Sequence, residues 1–174
     1  FWFTARLGKG VGQQRTLALS GDLQGKRVLV VDDNENARLV LGDLLGSMNF
    51  VVDQAESGNA AIDAVSRAEA QGAPYEIVLL DWQMPVMDGI ETARRLKALA
   101  CVRSPHIMMV TAYGREEVIK GAEQAGVEDV LIKPVSASVL FDGVVRLLGG
   151  IAGGPRIAGD APTDTFERLA AIKG

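Results

Sequence analysis

Five polar residues each stand at the end of a short apolar run. Asp32 and Asp33 follow VLVV, Asp81 follows IVLL, Thr111 follows IMMV and Lys133 follows VLI. Carboxylates drawn within a few ångströms of one another repel, and each raises its neighbour's pKa. A divalent cation relieves that repulsion. A set of oxygen ligands with few side chains suits Mg²⁺, which keeps waters and accepts a phosphate oxygen. A carboxylate held beside such an ion can act as a nucleophile toward phosphorus and become an aspartyl phosphate. The transferring phosphoryl group then needs the metal, an ammonium and hydrogen-bond donors around its charge. Lys133 and Thr111 have that chemistry. Taken one at a time, the residues have plainer explanations. An Asp after a strand caps the next helix, a service Asp33 or Asn34 could give. Lys-Pro makes a turn, and Thr suits a strand end.

The elements that would position these residues can be read from periodicity. Runs rich in β-branched residues occur at Val28–Val31, Phe50–Val52, Ile77–Leu80, Ile107–Val110 and Val130–Ile132. Continuous apolar runs of this length predict strands buried on both faces, as in a parallel sheet. Helical patterns lie between them. Ala37, Leu41, Leu44, Leu45 and Met48 share one face, as do Val139, Leu140, Val144, Leu147 and Leu148. Ser57 and Ser136 precede helical runs, and Asp88 with Glu91 makes a capping-box pattern. Gly149 and Gly150 stop the last helix. Five strands alternating with five helices predict an α/β, doubly wound, three-layer sandwich with a five-stranded parallel sheet and helices on both faces. Ligands in such sheets sit beyond the carboxyl ends of the strands. All five polar residues fall there, which the residue-by-residue explanations do not account for.

The segments VLVVDDNENAR, VLLDWQMPVMDGIE, MMVTAYG and VLIKPVS resemble, in order and spacing, the signatures of response-regulator receiver domains. The resemblance covers about residues 26–148 and implies the flavodoxin-like strand order 2-1-3-4-5. It implies that Asp81 is the phosphoacceptor, taking its phosphoryl group from a phosphohistidine. Asp32, Asp33 and Asp81 would hold Mg²⁺ together with the main-chain carbonyl of Gln83. Thr111 would be the switch hydroxyl, and Lys133 would pair with the phosphoryl oxygens. The Lys133–Pro134 peptide is often cis in that family. Gln83 and Tyr113 occupy the two positions that tune phosphoryl lifetime. Val130 is a departure, since the family usually has Tyr or Phe there. The aromatic switch is therefore in doubt, and the face formed by the fourth helix and fifth strand is expected to change little on activation. The implied partners are the phosphohistidine domain of a histidine kinase, in cis or in trans, and a histidine phosphotransfer domain.

Residues on either side set the context. FWFTARL alternates in character and reads as a strand. It resembles the last strand of the ATP-binding domain of sensor histidine kinases. Residues 1–25 are thus expected to be the end of such a domain plus a linker, and 149–174 a Gly/Pro-containing linker toward a following domain. Together these imply a receiver from a hybrid sensor histidine kinase, cytoplasmic in location, whose parent chain could carry a membrane anchor. The chain shows neither ATP-binding Gly-rich boxes nor a phosphodonor helix, so the fragment is not itself expected to be a kinase. GKGVG at residues 8–12 lacks the Lys-Ser/Thr of a phosphate loop and reads as linker. His106 and Cys101 read as structural.

Bulk properties exclude several classes. The chain has 174 residues, 48% of them hydrophobic and 23% charged, enough to bury a core and too apolar for general disorder. Its net charge of −4 gives no nucleic-acid footprint. No run reaches the roughly 20 apolar residues of a membrane span. One cysteine and one histidine exclude an internal disulfide and any multi-Cys or multi-His metal site. Two rivals stay open: a phosphatase with an aspartyl nucleophile, and an interaction module with a vestigial acidic pocket. Against the first, Asp32 and Asp33 are adjacent, whereas such phosphatases space the two carboxylates two apart.

Overall fold

A computed structural model describes residues 25–112, 114, 116–149 and the backbone of 157–158. Strands and helices alternate: β1 (Arg27–Val31), α1 (Glu35–Ser47), β2 (Val51–Ala55), α2 (Gly58–Ala70), β3 (Ile77–Asp81) and α3 (Gly89–Ala98). They continue with β4 (His106–Thr111), α4 (Glu116–Gln124), β5 (Asp129–Ile132) and α5 (Ala137–Leu148), then a two-residue β6 (Ile157–Ala158). The strands pair in parallel in the order β2-β1-β3-β4-β5-β6. The five-strand order 2-1-3-4-5 is the one expected. β6 is an addition: it lies within the stretch read as linker and pairs with Val130 and Leu131 of β5.

Strand side chains alternate between two cores. Leu29, Val31, Val78, Leu80, Ile107, Met109 and Val130 pack with Ala61 and Val65 of α2, Ala93 and Leu96 of α3 and Ala122 of α4. Val28, Val30, Ile77, Leu79, Met108, Val110 and Leu131 pack with Leu41 and Leu45 of α1 and with Leu140 and Val144 of α5. Burial on both faces explains the unbroken apolar runs.

Helix starts follow the signals in the sequence. Asn34 rather than Asp33 caps α1, accepting from the Ala37 N–H at 3.2 Å. Ser57 and Ser136 accept from the Ala60 and Val139 N–H groups. Asp88 accepts from the Glu91 N–H at 2.8 Å, while the Glu91 carboxylate pairs with Arg95. Gly149 closes α5.

One strand is displaced from its expected place. Phe50 precedes β2 and is buried against the α1 side of the sheet. Asn49, at φ 67, turns the chain before it. β2 is the edge strand: Val51 and Gln54 are exposed, Val52 and Asp53 are half-buried and Ala55 alone is buried, so its second half, DQA, carries little apolar signal. Asp53 there joins Arg27 and Tyr75. FWFTARL, GKGVG, Tyr113 and most of 149–174 lie outside the described residues.

Candidate functional site

β3 sits between β1 and β4, so its carboxyl end is the centre of the edge where the polar residues gather. Asp81 ends β3 and is 6% exposed. Asp32, directly after neighbouring β1, is 2% exposed, and Asp33 beside it is exposed. Thr111 ends β4 on the other side and is buried. Lys133 follows β5 and reaches across β4. Its Nζ donates to Asp81 Oδ1 at 2.7 Å and to Asp32 Oδ2 at 2.9 Å. Its backbone N–H donates to the Thr111 carbonyl at 2.7 Å, which ties the two strand ends together. The following Lys133–Pro134 peptide is cis.

These groups line a cavity of about 200 Å³ with Asn34, Trp82, Gln83 and Ala112. Larger cavities occur at Arg27–Tyr75 and at Pro74–His106, near the amino ends of the strands, but neither gathers the carboxylates. Asp32, Asp33 and Asp81 can each offer a carboxylate oxygen, all within 4.8 Å of one another. An all-oxygen set of three carboxylates around a small cavity fits a hard divalent cation.

Burial raises the pKa of Asp81 above the usual carboxylate range, and the charge of Asp32 acts in the same direction. Hydrogen bonds from Lys133 and from the Gln83 backbone N–H oppose this. For Lys133, burial alone would lower the pKa. The bonds to Asp81 and Asp32 outweigh it and hold the ammonium above the usual lysine value. Carboxylates outnumber the ammonium in this half-dry cluster, so both partners hold a proton more tightly. That surplus of negative charge is what a cation would relieve.

The backbone around Asp81 is closely packed. The Gly89 N–H donates to the Trp82 carbonyl at 2.8 Å, bringing the start of α3 up against β3. A Cβ at Gly89 would overlap the Asp81 carbonyl oxygen and lie 3.0 Å from Trp82 Cα. Between them, the Met87 N–H bonds the Pro85 carbonyl across Val86, which has φ 69 and a fully exposed side chain. Beneath the acidic loop, Arg38 of α1 donates to the carbonyls of Asp32 and Asp33. Sequence reasoning passed over Arg38, because its partners are carbonyls and leave no trace in residue types.

Of the residues singled out, the structure brings together Asp32, Asp33, Asp81, Gln83, Thr111 and Lys133. Val130 is 1% exposed and packs on the α2–α4 side of the sheet. His106 begins β4 at the opposite end, with Nδ1 2.6 Å from Glu128 Oε2, and Lys97 shares that carboxylate. Cys101 lies in the α3–β4 connection, also away from the cavity.

The family model for the response regulator receiver domain matches residues 28–144. Among similar proteins, the transcriptional regulatory protein ResD of Bacillus subtilis is 36% identical over 110 residues, 63% of this chain and 42% of ResD. This chain thus spans less than half of ResD's length. The chemotaxis protein CheY of Halobacterium salinarum is 32% identical over 123 residues, 71% of this chain and 97% of CheY. A solved receiver domain of the sensor histidine kinase PA1611 from Pseudomonas aeruginosa superposes with a TM-score of 0.64 at 28% identity. It covers 72% of this chain and 98% of its own, and holds a magnesium ion in its active-site cleft.

Proposed function

The chain belongs to the response regulator receiver domain family, and from that premise we propose that it takes a phosphoryl group from a phosphohistidine onto Asp81 with Mg²⁺ bound. One observation carries the reading: the Lys133 ammonium bridges Asp32 and Asp81 across a small cavity that three carboxylates line. Asp32, Asp33 and Asp81, with the main-chain carbonyl of Gln83, would hold the Mg²⁺, which draws charge off the transferring oxygens. A carboxylate oxygen of Asp81 attacks phosphorus. The phosphorus–nitrogen bond breaks, and the imidazole leaves with the electron pair. Lys133 keeps one donor on the new phosphoryl group, and the Thr111 hydroxyl turns toward its oxygens. Gln83, exposed at the rim, and Tyr113 would set how easily water reaches the in-line position.

The hybrid-kinase context belongs to the same proposal. Residues 1–25 would end an upstream ATP-binding domain, 26–148 would be the receiver, and 149–174 would lead to a further domain. The phosphodonor would be a histidine kinase or a histidine phosphotransfer domain in the cytoplasm. Exposed Leu39 and Val40, early in α1 and next to the acidic loop, suit an apolar partner helix there. No helix among the described residues is long and apolar enough to cross a membrane.

The test is labelling by acetyl phosphate in Mg²⁺. Wild type should gain one hydroxylamine-sensitive phosphoryl group, and Asp81→Asn should gain none. Labelling of Asp81→Asn to the wild-type level, at a hydroxylamine-resistant residue, would overturn the assignment.

A further inference from the structure

We infer that Arg38 is a positioning residue for the metal site, acting on backbone carbonyls rather than on any ligand; the inference rests on the reading just given. Asp33 is the one carboxylate of the three that is exposed to solvent. Packing therefore does not aim it, and its direction has to come from its own φ and ψ. Those angles are set by the two peptide planes on either side of it. The carbonyl of Asp32 lies in the first plane and the carbonyl of Asp33 in the second. Arg38 Nη1 donates to both, at 2.7 and 3.3 Å.

Other bonds complete the frame. The Asp32 N–H donates to the Ala55 carbonyl, and the Asn34 N–H to Asp32 Oδ1 at 2.9 Å. Asn34 caps α1, and its carbonyl accepts from the Arg38 N–H at 3.1 Å. Arg38 thus stands one turn into the helix that begins at this loop. Helical side chains lean toward the N-terminus, so its guanidinium falls back under the loop. A rigid planar donor group can hold two carbonyls at fixed angles, which a lysine ammonium on a flexible stem does less well. Supporting residues of this kind typically change metal affinity tenfold to a hundredfold when removed.

Charge and position predict opposite signs, which makes the inference testable. The Arg38 cation repels Mg²⁺. If charge were its whole effect, Arg38→Met would tighten Mg²⁺ binding. If Arg38 aims Asp33, the same variant weakens it.

The measurement is Mg²⁺ titration of Trp82 fluorescence in the full chain, with Trp2→Phe to remove the second tryptophan. Arg38→Met should bind Mg²⁺ about tenfold more weakly, with faster amide exchange at Asn34. Arg38→Lys, which keeps the charge, should fall between wild type and Arg38→Met. Unchanged or tighter binding in Arg38→Met would overturn the inference. Should Arg38→Met not fold, Arg38→Lys decides alone: weaker binding supports the inference and wild-type binding overturns it. Wild type that binds Mg²⁺ but takes no label at Asp81 would instead overturn the phosphoacceptor reading and leave the role of Arg38 standing.

Discussion

Lys133 holds two nearly buried carboxylates with one ammonium. Replacing it with Met would strand both charges in a low-dielectric cleft, and removing one partner of a buried pair typically costs about 3 kcal/mol or more. Lys133→Met should melt well below wild type without metal and recover part of the loss when Mg²⁺ is added. Melting curves with and without the ion check this. Tyr75 makes a separate prediction. Burial, and next the bond to Asp53, push its pKa up to about 12. The neutral phenol therefore stabilises the fold in full below its unfolded value near 10. That contribution, about 3 kcal/mol, is lost as pH rises through 12. Ultraviolet titration should show a late tyrosine in wild type that is missing in Tyr75→Phe, and the variant's stability should fall less steeply over that window. Asp32, Asp33, Asp81, Thr111 and Lys133 were legible in the sequence because they stand at the ends of apolar runs, whereas Gln83 was reached only through the family resemblance. Arg38 was not, because backbone acceptors are the same for every residue type.

The connection from β3 to α3 shows how tightly an element can constrain its neighbours. Gly89 has backbone, not a movable side chain, where a Cβ would go. Gly89→Ala should cost about 1–3 kcal/mol and weaken Mg²⁺ binding, because the displaced backbone carries Asp81. Three residues earlier, Val86 is a β-branched residue at positive φ in a strained turn. Val86→Asn should therefore raise stability by about 1 kcal/mol, read as a higher melting temperature. On the other face of the sheet, Asp129 is buried in β5 and paired with Arg146 of α5 at 2.7 Å. Arg146→Met should destabilise by about 3 kcal/mol, and adding Asp129→Asn should recover much of that loss. Strands β1, β3, β4 and β5 were legible because burial on both faces leaves unbroken apolar runs. β2 was misplaced because an edge strand needs an apolar signal only where it meets the core, and Phe50 supplies one just outside it. β6 escaped notice because a two-residue pairing is made by backbone and leaves almost no pattern.

At the scale of the whole molecule, the sheet order decides which parts of the surface feel the site. Val130 is buried on β5 and has no ring to swing inward. With the phosphate mimic beryllofluoride, amide shifts should be large near Asp81 and Thr111 and small at Val130 and along α4. Equal changes at both would refute this. The same order has a further consequence. Asp32 and Lys133 touch across 101 residues of sequence, and Asp81 and Lys133 across 52. Contacts between such distant residues close late, after the loops between them have been ordered. A nascent or half-folded chain therefore already contains Asp81, the proposed phosphoacceptor, yet has no ammonium over it and no second carboxylate beside it. On the proposed phosphoacceptor reading, competence to carry a signal and completion of the fold become one event, and a damaged or unfinished copy would stay silent and send no false message.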